Sequence, residues 1–245
     1  MHVDHVTPHL HFVTTEHVNW VIYAGPDGLV LIDSGYVGQR ALLEESLAQV
    51  GASPGDVDAV LVTHGHADHL GGASWLAAEH GVPVYTSAVE VPHVRRERLE
   101  QVGPADVARN AFRPGVVAWA VAVLPLLDRR PALAVPEVRE LPLRDGRIDV
   151  AGRPTAIVVP GHTTGHTVYA FPEEDALIVG DALVTGHRTS RRTGWQMLPT
   201  MFHHDRAEAG ESLARVAELS AEILLPGHGP GWRGDPADAV ARALA

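Results

Sequence analysis

Short apolar runs rich in β-branched residues alternate along this chain with stretches of helical period. Leu10–Val13, Trp20–Tyr23 and Leu29–Ile32 are the first runs, with Pro26-Asp27-Gly28 as a turn between the last two. They predict an antiparallel β start over residues 1–35. Residues 38–50 switch to helical spacing through Ala41, Leu42, Leu47, Ala48 and Val50, and Gly51 suits a helix stop. Val57–Thr63 predicts a strand. A helix beginning near His69 and ending at His80-Gly81 follows, then a strand over Val82–Thr86. Gly71 and Gly72 fall in the first turn of that helix, where they allow close backbone approach at a cost in propensity.

Residues 87–135 break the rhythm and read as a helical insert. The charged segment Arg95–Glu100 predicts a helix, Pro104 starts another, and the apolar run Val116–Leu127 follows. The insert is suited to be a lid or substrate wall, or plain core packing; His93 and Trp119 are its residues of interest. Beyond it, Val138–Leu141, Ile148–Val150, Ala156–Val159, Val168–Phe171 and Leu177–Val179 predict strands. Residues 182–204 predict a loop. Asp205 and Glu208 form a capping-box pattern for a helix running to about Leu219. Ile223–Leu225 is one more strand, and Asp235-Pro236 opens a last helix.

Four of these runs end at residues able to hold a metal: Val60–Val62 before His64, Ala156–Val159 before His162, Leu177–Val179 before Asp181, and Ile223–Leu225 before His228. Strands packed in one core can deliver such exits to one edge. The first exit reads His64-Gly65-His66-Ala67-Asp68-His69. In extended chain His64, His66 and Asp68 share a side, while His69 is out of phase. Ligands in two directions suit two metal ions better than one. Asp68 is also placed to cap the following helix. Nitrogen and carboxylate donors without thiolate suit Zn²⁺, with Fe or Mn as alternatives.

Composition narrows the class. A chain of 245 residues with 45% hydrophobic content is within reach of one large domain, and we expect a single domain over 1–245. The net charge of −11 disfavours nucleic acid as a partner. Absence of cysteine excludes disulfides and thiolate chemistry. Every basic residue is Arg, which excludes Schiff-base chemistry on lysine. No basic, then apolar, leader is visible at Met1–His5, and the 12-residue run Val116–Leu127 contains Pro125 and is too short to span a bilayer. These features predict a cytoplasmic protein without membrane association. Its oligomeric state is open, with Val116–Leu127 an interface if exposed.

The series His64-x-His66-x-Asp68-His69, Pro160-Gly161-His162, Gly180-Asp181 and Pro226-Gly227-His228 resembles the signature of the metallo-β-lactamase-fold superfamily of metallohydrolases. In type it is similar to lactonase- and glyoxalase II-like members. The resemblance implies an α/β fold, a four-layer αββα sandwich with the metals at one edge of two sheets. It implies that His64, His66 and His162 bind one Zn²⁺, that Asp68, His69 and His228 bind a second, and that Asp181 bridges them. Two divalent ions less two carboxylates and a shared hydroxide leave about +1, which favours an oxyanion forming on a carbonyl. Asp68 and Asp181 are the expected catalytic carboxylates, with Asp68 orienting the hydroxide or passing a proton. Asp33 and His166 are expected to support the ligands.

The reading is a dinuclear zinc hydrolase of a small ester, thioester or lactone. Rivals are a mononuclear-iron persulfide dioxygenase-like enzyme, a phosphodiesterase and a non-catalytic metal-binding protein. Candidate substrate contacts are His187 and Trp195, with Tyr36, Arg188 and Met197 as further pocket candidates. His2, His5, His9, His11 and His17 are expected on solvated strand faces, and His80, His203 and His204 at the surface.

Overall fold

The computed structural model describes residues 1–127 and 133–245. One sheet contains β1 (His2–His5), β2 (Leu10–Thr14), β3 (Trp20–Gly25), β4 (Gly28–Ile32), β5 (Ala59–Leu61), β6 (Val84–Thr86) and β7 (Arg139–Glu140), in that spatial order. The pairs from β1 to β4 are antiparallel, and those from β4 to β7 are parallel. Between these strands lie α1 (Arg40–Gln49), α2 (Ala67–His80), α3 (Val91–Val94), α4 (Pro104–Asn110) and α5 (Val116–Val123). A hairpin of β8 (Leu143–Arg144) and β9 (Arg147–Ile148) leads to the second sheet. That sheet has β10 (Thr155–Val158), β11 (Thr167–Phe171), β12 (Ala176–Gly180), β13 (Ile223–Pro226) and β14 (Trp232–Arg233). Helices α6 (Arg206–Ser212), α7 (Ala214–Ala217) and α8 (Pro236–Leu244) complete the chain.

The period of two along each strand explains the layers. In β4, Leu29 and Leu31 face a core shared with Leu43 and Leu47 of α1 and Leu70 and Leu76 of α2. Val30 and Ile32 face the other way, into a layer shared with Tyr169, Phe171, Ile178 and Leu225 of the second sheet. In β12, Leu177 and Val179 pack outward with Leu213, Val216 and Val240. Strands buried on both faces read as continuous apolar runs rather than alternating ones. The order helix, sheet, sheet, helix is the expected αββα sandwich.

Strand direction then places the site. β4 and β5 are parallel, as are β12 and β13, so their C-terminal exits share an edge. β10 and β12 both pair antiparallel with β11, so β10 runs the same way. Asp33, His64, His162, Asp181 and His228 all follow such exits.

Some expected elements differ. The segment Arg95–Glu100 is not helical: α3 stops at Val94, and Arg96 takes φ +62°. Its charged groups are committed elsewhere, Arg96 donating to Gly65 O at 2.7 Å and Glu100 accepting from Thr164 N at 2.7 Å. The helix expected from Asp205 to Leu219 divides into α6 and α7. Asp205 does cap it, accepting from Ala207 N and Glu208 N, without a reciprocal bond from Glu208. Asp68 does not cap α2: the helix begins at Ala67, two residues before the expected start, with His66 at the cap position. The strand expected over Val57–Thr63 narrows to β5, and that over Val138–Leu141 to β7. On α5, Val117 and Val121 are exposed while Val116 and Val123 are buried. No helix among the described residues is long and apolar enough to cross a membrane.

Candidate metal centre

Seven side chains meet at the shared edge in two groups: His64, His66, His162 and Asp181, and Asp68, His69 and His228. In the first group, His162 Nε2 lies 3.2 Å from His64 Nε2, 3.1 Å from His66 Nδ1 and 3.6 Å from Asp181 Oδ2. Ligands of one tetrahedral ion at ~2.05 Å stand about 3.3 Å apart, so the spacing fits a shared cation. In the second, His228 Nε2 lies 3.5 Å and His69 Nε2 3.9 Å from Asp68 Oδ2. Asp181 touches both groups, with Oδ2 3.1 Å from His228 Nε2 and Oδ1 3.7 Å from His69 Nε2.

The remote ring nitrogens explain why the near ones are free to bind. His69 Nδ1–H donates to Asp33 at 2.7 Å, His228 Nδ1–H to His17 O at 2.7 Å, and His66 Nε2–H to Glu100 O at 2.7 Å. Thr63 Oγ1 donates to Asp33 Oδ2, so it accepts from His64 Nδ1–H at 2.9 Å. Each of these four rings therefore turns its second nitrogen inward, where a cation can take the place of a proton, the arrangement that orients metal-bound imidazoles. Buried His69 Nε2 and Asp181 Oδ1 have no hydrogen-bond partner in the protein. A buried polar atom left so is costly, and a cation would satisfy both.

Close packing shapes the edge. Asp33 sits at φ +61° directly after β4 and accepts from Thr63 N, Thr63 Oγ1 and His69 Nδ1. A Cβ on Gly71 would stand 2.1 Å from Tyr36 C and Val37 N, so the start of α2 rests on backbone, as its two glycines predict. A Cβ on Gly227 would stand 2.1 Å from Asp181 Oδ1.

Burial is the first influence on the imidazoles. It lowers His64 and His162 well below the ordinary range and His66 to about 4. On His69 burial opposes charge, but Asp33, Asp68 and Asp181 outweigh it and hold its imidazolium to about 10. Carboxylates that favour a proton at Nε2 favour a divalent cation there for the same reason. Burial also opposes ionisation of Asp181, yet His228 and His69 keep it well below the usual carboxylate range.

The two residues expected to support the ligands lie beside the seven. Asp33 steers His69, and His166 Nε2 accepts from Asp181 N at 3.1 Å. Above Asp68, Asp181 and His228 lies a cavity of about 90 Å³ walled by Tyr36, Trp119, Val123, Leu198 and Phe202. His187 lines it too, but Trp195 does not. Trp195 is 2% exposed in the outer core beyond the second sheet, near Trp232, and Met197 packs in the same core. Arg188 is exposed and paired with Glu16. A larger cavity, about 640 Å³, lies at the β1–β14 side and includes none of the seven residues. His11 is buried against His5 rather than solvated, His17 supports His228, and His203 packs 5.2 Å from the His162 ring instead of lying free.

Sequence reasoning missed Glu90 and Glu100. Glu90 is fully buried and accepts from Gly65 N, His93 Nδ1, Thr163 Oγ1 and Gly165 N. Glu100 binds Thr164 through its carboxylate and His66 through its carbonyl. The insert thus ties together the loops after β5 and β10. The Glu90-x-x-His93 spacing, one helical turn, was the available signal.

A family model described as the metallo-beta-lactamase superfamily matches residues 13–228. The chain is 30% identical over 210 residues to the probable metallo-hydrolase YflN of Bacillus subtilis (strain 168), covering 83% of this chain and 76% of that one. It is 29% identical over 213 residues to the atrochrysone carboxyl ACP thioesterase of Aspergillus fumigatus, spanning 86% of this chain and half of that protein, 50%. A metallo-beta-lactamase family protein of Thermus thermophilus aligns with a TM-score of 0.66 over 97% of this chain and 78% of that one, at 24% identity, a likeness that carries the fold. With the motif residues gathered at one edge of an αββα sandwich and the family model spanning most of the chain, this protein belongs to the metallo-β-lactamase superfamily.

Proposed function

We propose that this chain is a metal-dependent hydrolase of a small ester, thioester or lactone, working with two divalent ions, zinc by donor chemistry. The observation that carries the reading is the pair of ligand groups joined by Asp181, with inward nitrogens fixed by the bonds at the far ring nitrogens. His64, His66 and His162 would hold one ion, Asp68, His69 and His228 the other, with Asp181 between them. Such ions, when bound, lower the pKa of water and polarise a carbonyl.

The chain's own groups complete the chemistry. Asp68 is the least buried carboxylate of the centre, with its side chain 16% exposed, and its place beside the cavity suits it to pass a proton to the leaving group. Tyr36 lines the same cavity, where burial and the nearby Asp68 and Asp181 charges keep its hydroxyl protonated beside Asp68. The apolar walls Trp119, Val123 and Phe202 exclude water and accept an uncharged acyl part. The named metallo-hydrolase and thioesterase relatives support hydrolysis of a carbonyl compound, and a small molecule is the partner this cavity suits.

Chelator treatment followed by separate zinc, manganese and iron restoration tests the reading on a panel of lactones, thioesters and aryl esters. Hydrolysis lost with the chelator and restored by metal is the expected result. Hydrolysis unchanged after complete metal removal would overturn it.

A further inference from the structure

Two cavities meet at the metal centre, and Trp119, His187 and His228 line both. One is the apolar chamber of about 90 Å³ walled by Val102, Leu198 and Phe202. The other, about 300 Å³, carries the polar side chains Thr15, Glu16, His17 and Arg188 in its lining. His187 stands at their junction. Its ring meets that of His228 edge-on, 5.0 Å between centroids at 87°, and that of Phe202 at 4.9 Å and 71°. Two rings therefore hold its plane.

Its hydrogen bonds fix its tautomer. Thr189 N–H donates to His187 Nδ1 at 3.3 Å, and the Thr189 hydroxyl lies 2.7 Å from the same atom. A backbone amide donates only, so Nδ1 carries the lone pair and Nε2 carries the proton. No described residue accepts from Nε2–H. A neutral donor without a protein partner, on a ring shared by two cavities and packed against the metal centre, is available to a substrate.

We propose, resting on the hydrolase reading, that His187 is a catalytic residue whose Nε2–H donates to the carbonyl oxygen of a substrate with a compact apolar acyl group and a polar leaving group. The acyl group occupies the Trp119 and Phe202 side, and the leaving group the Glu16 and Arg188 side. As the oxygen of a water molecule adds to the carbonyl carbon and gives a proton to Asp68, the π pair moves to the carbonyl oxygen, and the hydrogen bond from Nε2–H strengthens with that charge. When the pair returns, the bond to the leaving oxygen or sulfur breaks, and the leaving group takes the proton from Asp68. His187 keeps its own proton throughout.

The test compares zinc-loaded wild type, His187→Phe and His187→Gln on p-nitrophenyl butyrate, with zinc content measured for each. His187→Phe should lower kcat about 10²–10³-fold, the usual loss for one such donor, with KM little changed. His187→Gln, which keeps an N–H donor, should recover a large part of that loss. Full kcat in His187→Phe, or no recovery in His187→Gln, would overturn the proposal. Loss of zinc in His187→Phe would also overturn it, by making the ring a wall of the metal centre. A second readout needs no turnover: ¹⁵N shifts of the imidazole at pH 7 should show the Nε2–H tautomer, and the Nδ1–H form would contradict the proposal. Wild type that holds two zinc ions yet cleaves no ester would sink the hydrolase reading itself, and the role of His187 with it.

Discussion

Asp33 shows how much one residue beside the centre can control. It holds a left-handed backbone and spends its carboxylate on Thr63 and His69, touching none of the other inward ligand atoms. Asparagine tolerates that backbone and keeps the size, so Asp33→Asn isolates the charge. It should weaken metal affinity by roughly 10- to 100-fold, the usual cost of losing such a partner. Competition with a chromogenic chelator would measure this; affinity equal to wild type would contradict the role given to Asp33. At this scale the candidate ligands were legible because His64, His162, Asp181 and His228 each follow an apolar run that reads as a strand, and His66, Asp68 and His69 crowd the first of those exits. Glu90 was not, because three of its four donors come from Gly65, Thr163 and Gly165, whose amides and hydroxyl leave no pattern in sequence. Trp195 was misread because an aromatic in a long loop looks like a pocket residue, whereas here the loop returns it to the outer core.

Among the elements, the strands carry position and the insert carries cohesion. Parallel pairing of β4 with β5 and of β12 with β13 brings the exits together. Glu90 and Glu100, on either side of α3, then clamp the loops after β5 and β10. A Cβ on Gly65 would stand 2.6 Å from His93 Cγ, so the clamp packs directly on the ligand loop. Glu90→Ala would leave four buried donors unpaired, each costing about 1–3 kcal/mol. Even ~3 kcal/mol corresponds to a fall of roughly 6–12 °C in Tm for a chain of this size. Thermal unfolding of the metal-loaded variant checks this, and an unchanged Tm would remove the clamp from the account. Most of the strands were readable from apolar runs and turns; their spatial order was not predicted. Nor was the early end of α3, since Arg96 and Glu100 leave helical geometry for partners far away in sequence.

Across the whole molecule, metal and proton compete for the same buried atoms. Without metal, burial holds His66 and His166 at about 4, against 6.5 for the unfolded chain. Between those values the unfolded state binds more protons, so stability falls as pH drops from 6.5 toward 4. His69 is opposite in sign: raised to about 10 by its carboxylates against burial, it binds more protons when folded, so stability falls as pH rises from 6.5 toward 10. Chelator-stripped protein should therefore unfold most reluctantly near neutral pH, with urea midpoints falling on both sides. Bound metal replaces the proton at His69 Nε2 and should remove the alkaline loss. An alkaline loss of equal size with and without metal would contradict this linkage.

The central claim is that seven side chains from separate strand exits form one centre for two metal ions. Elemental mass spectrometry of protein purified without added metal, expressed per chain, tests it most directly. We predict about two zinc per chain, falling when Asp181→Ala removes the shared carboxylate. One iron per chain would contradict the dinuclear account and favour oxygen chemistry, and no metal, with none taken up on addition, would mean that these residues do not form the centre described.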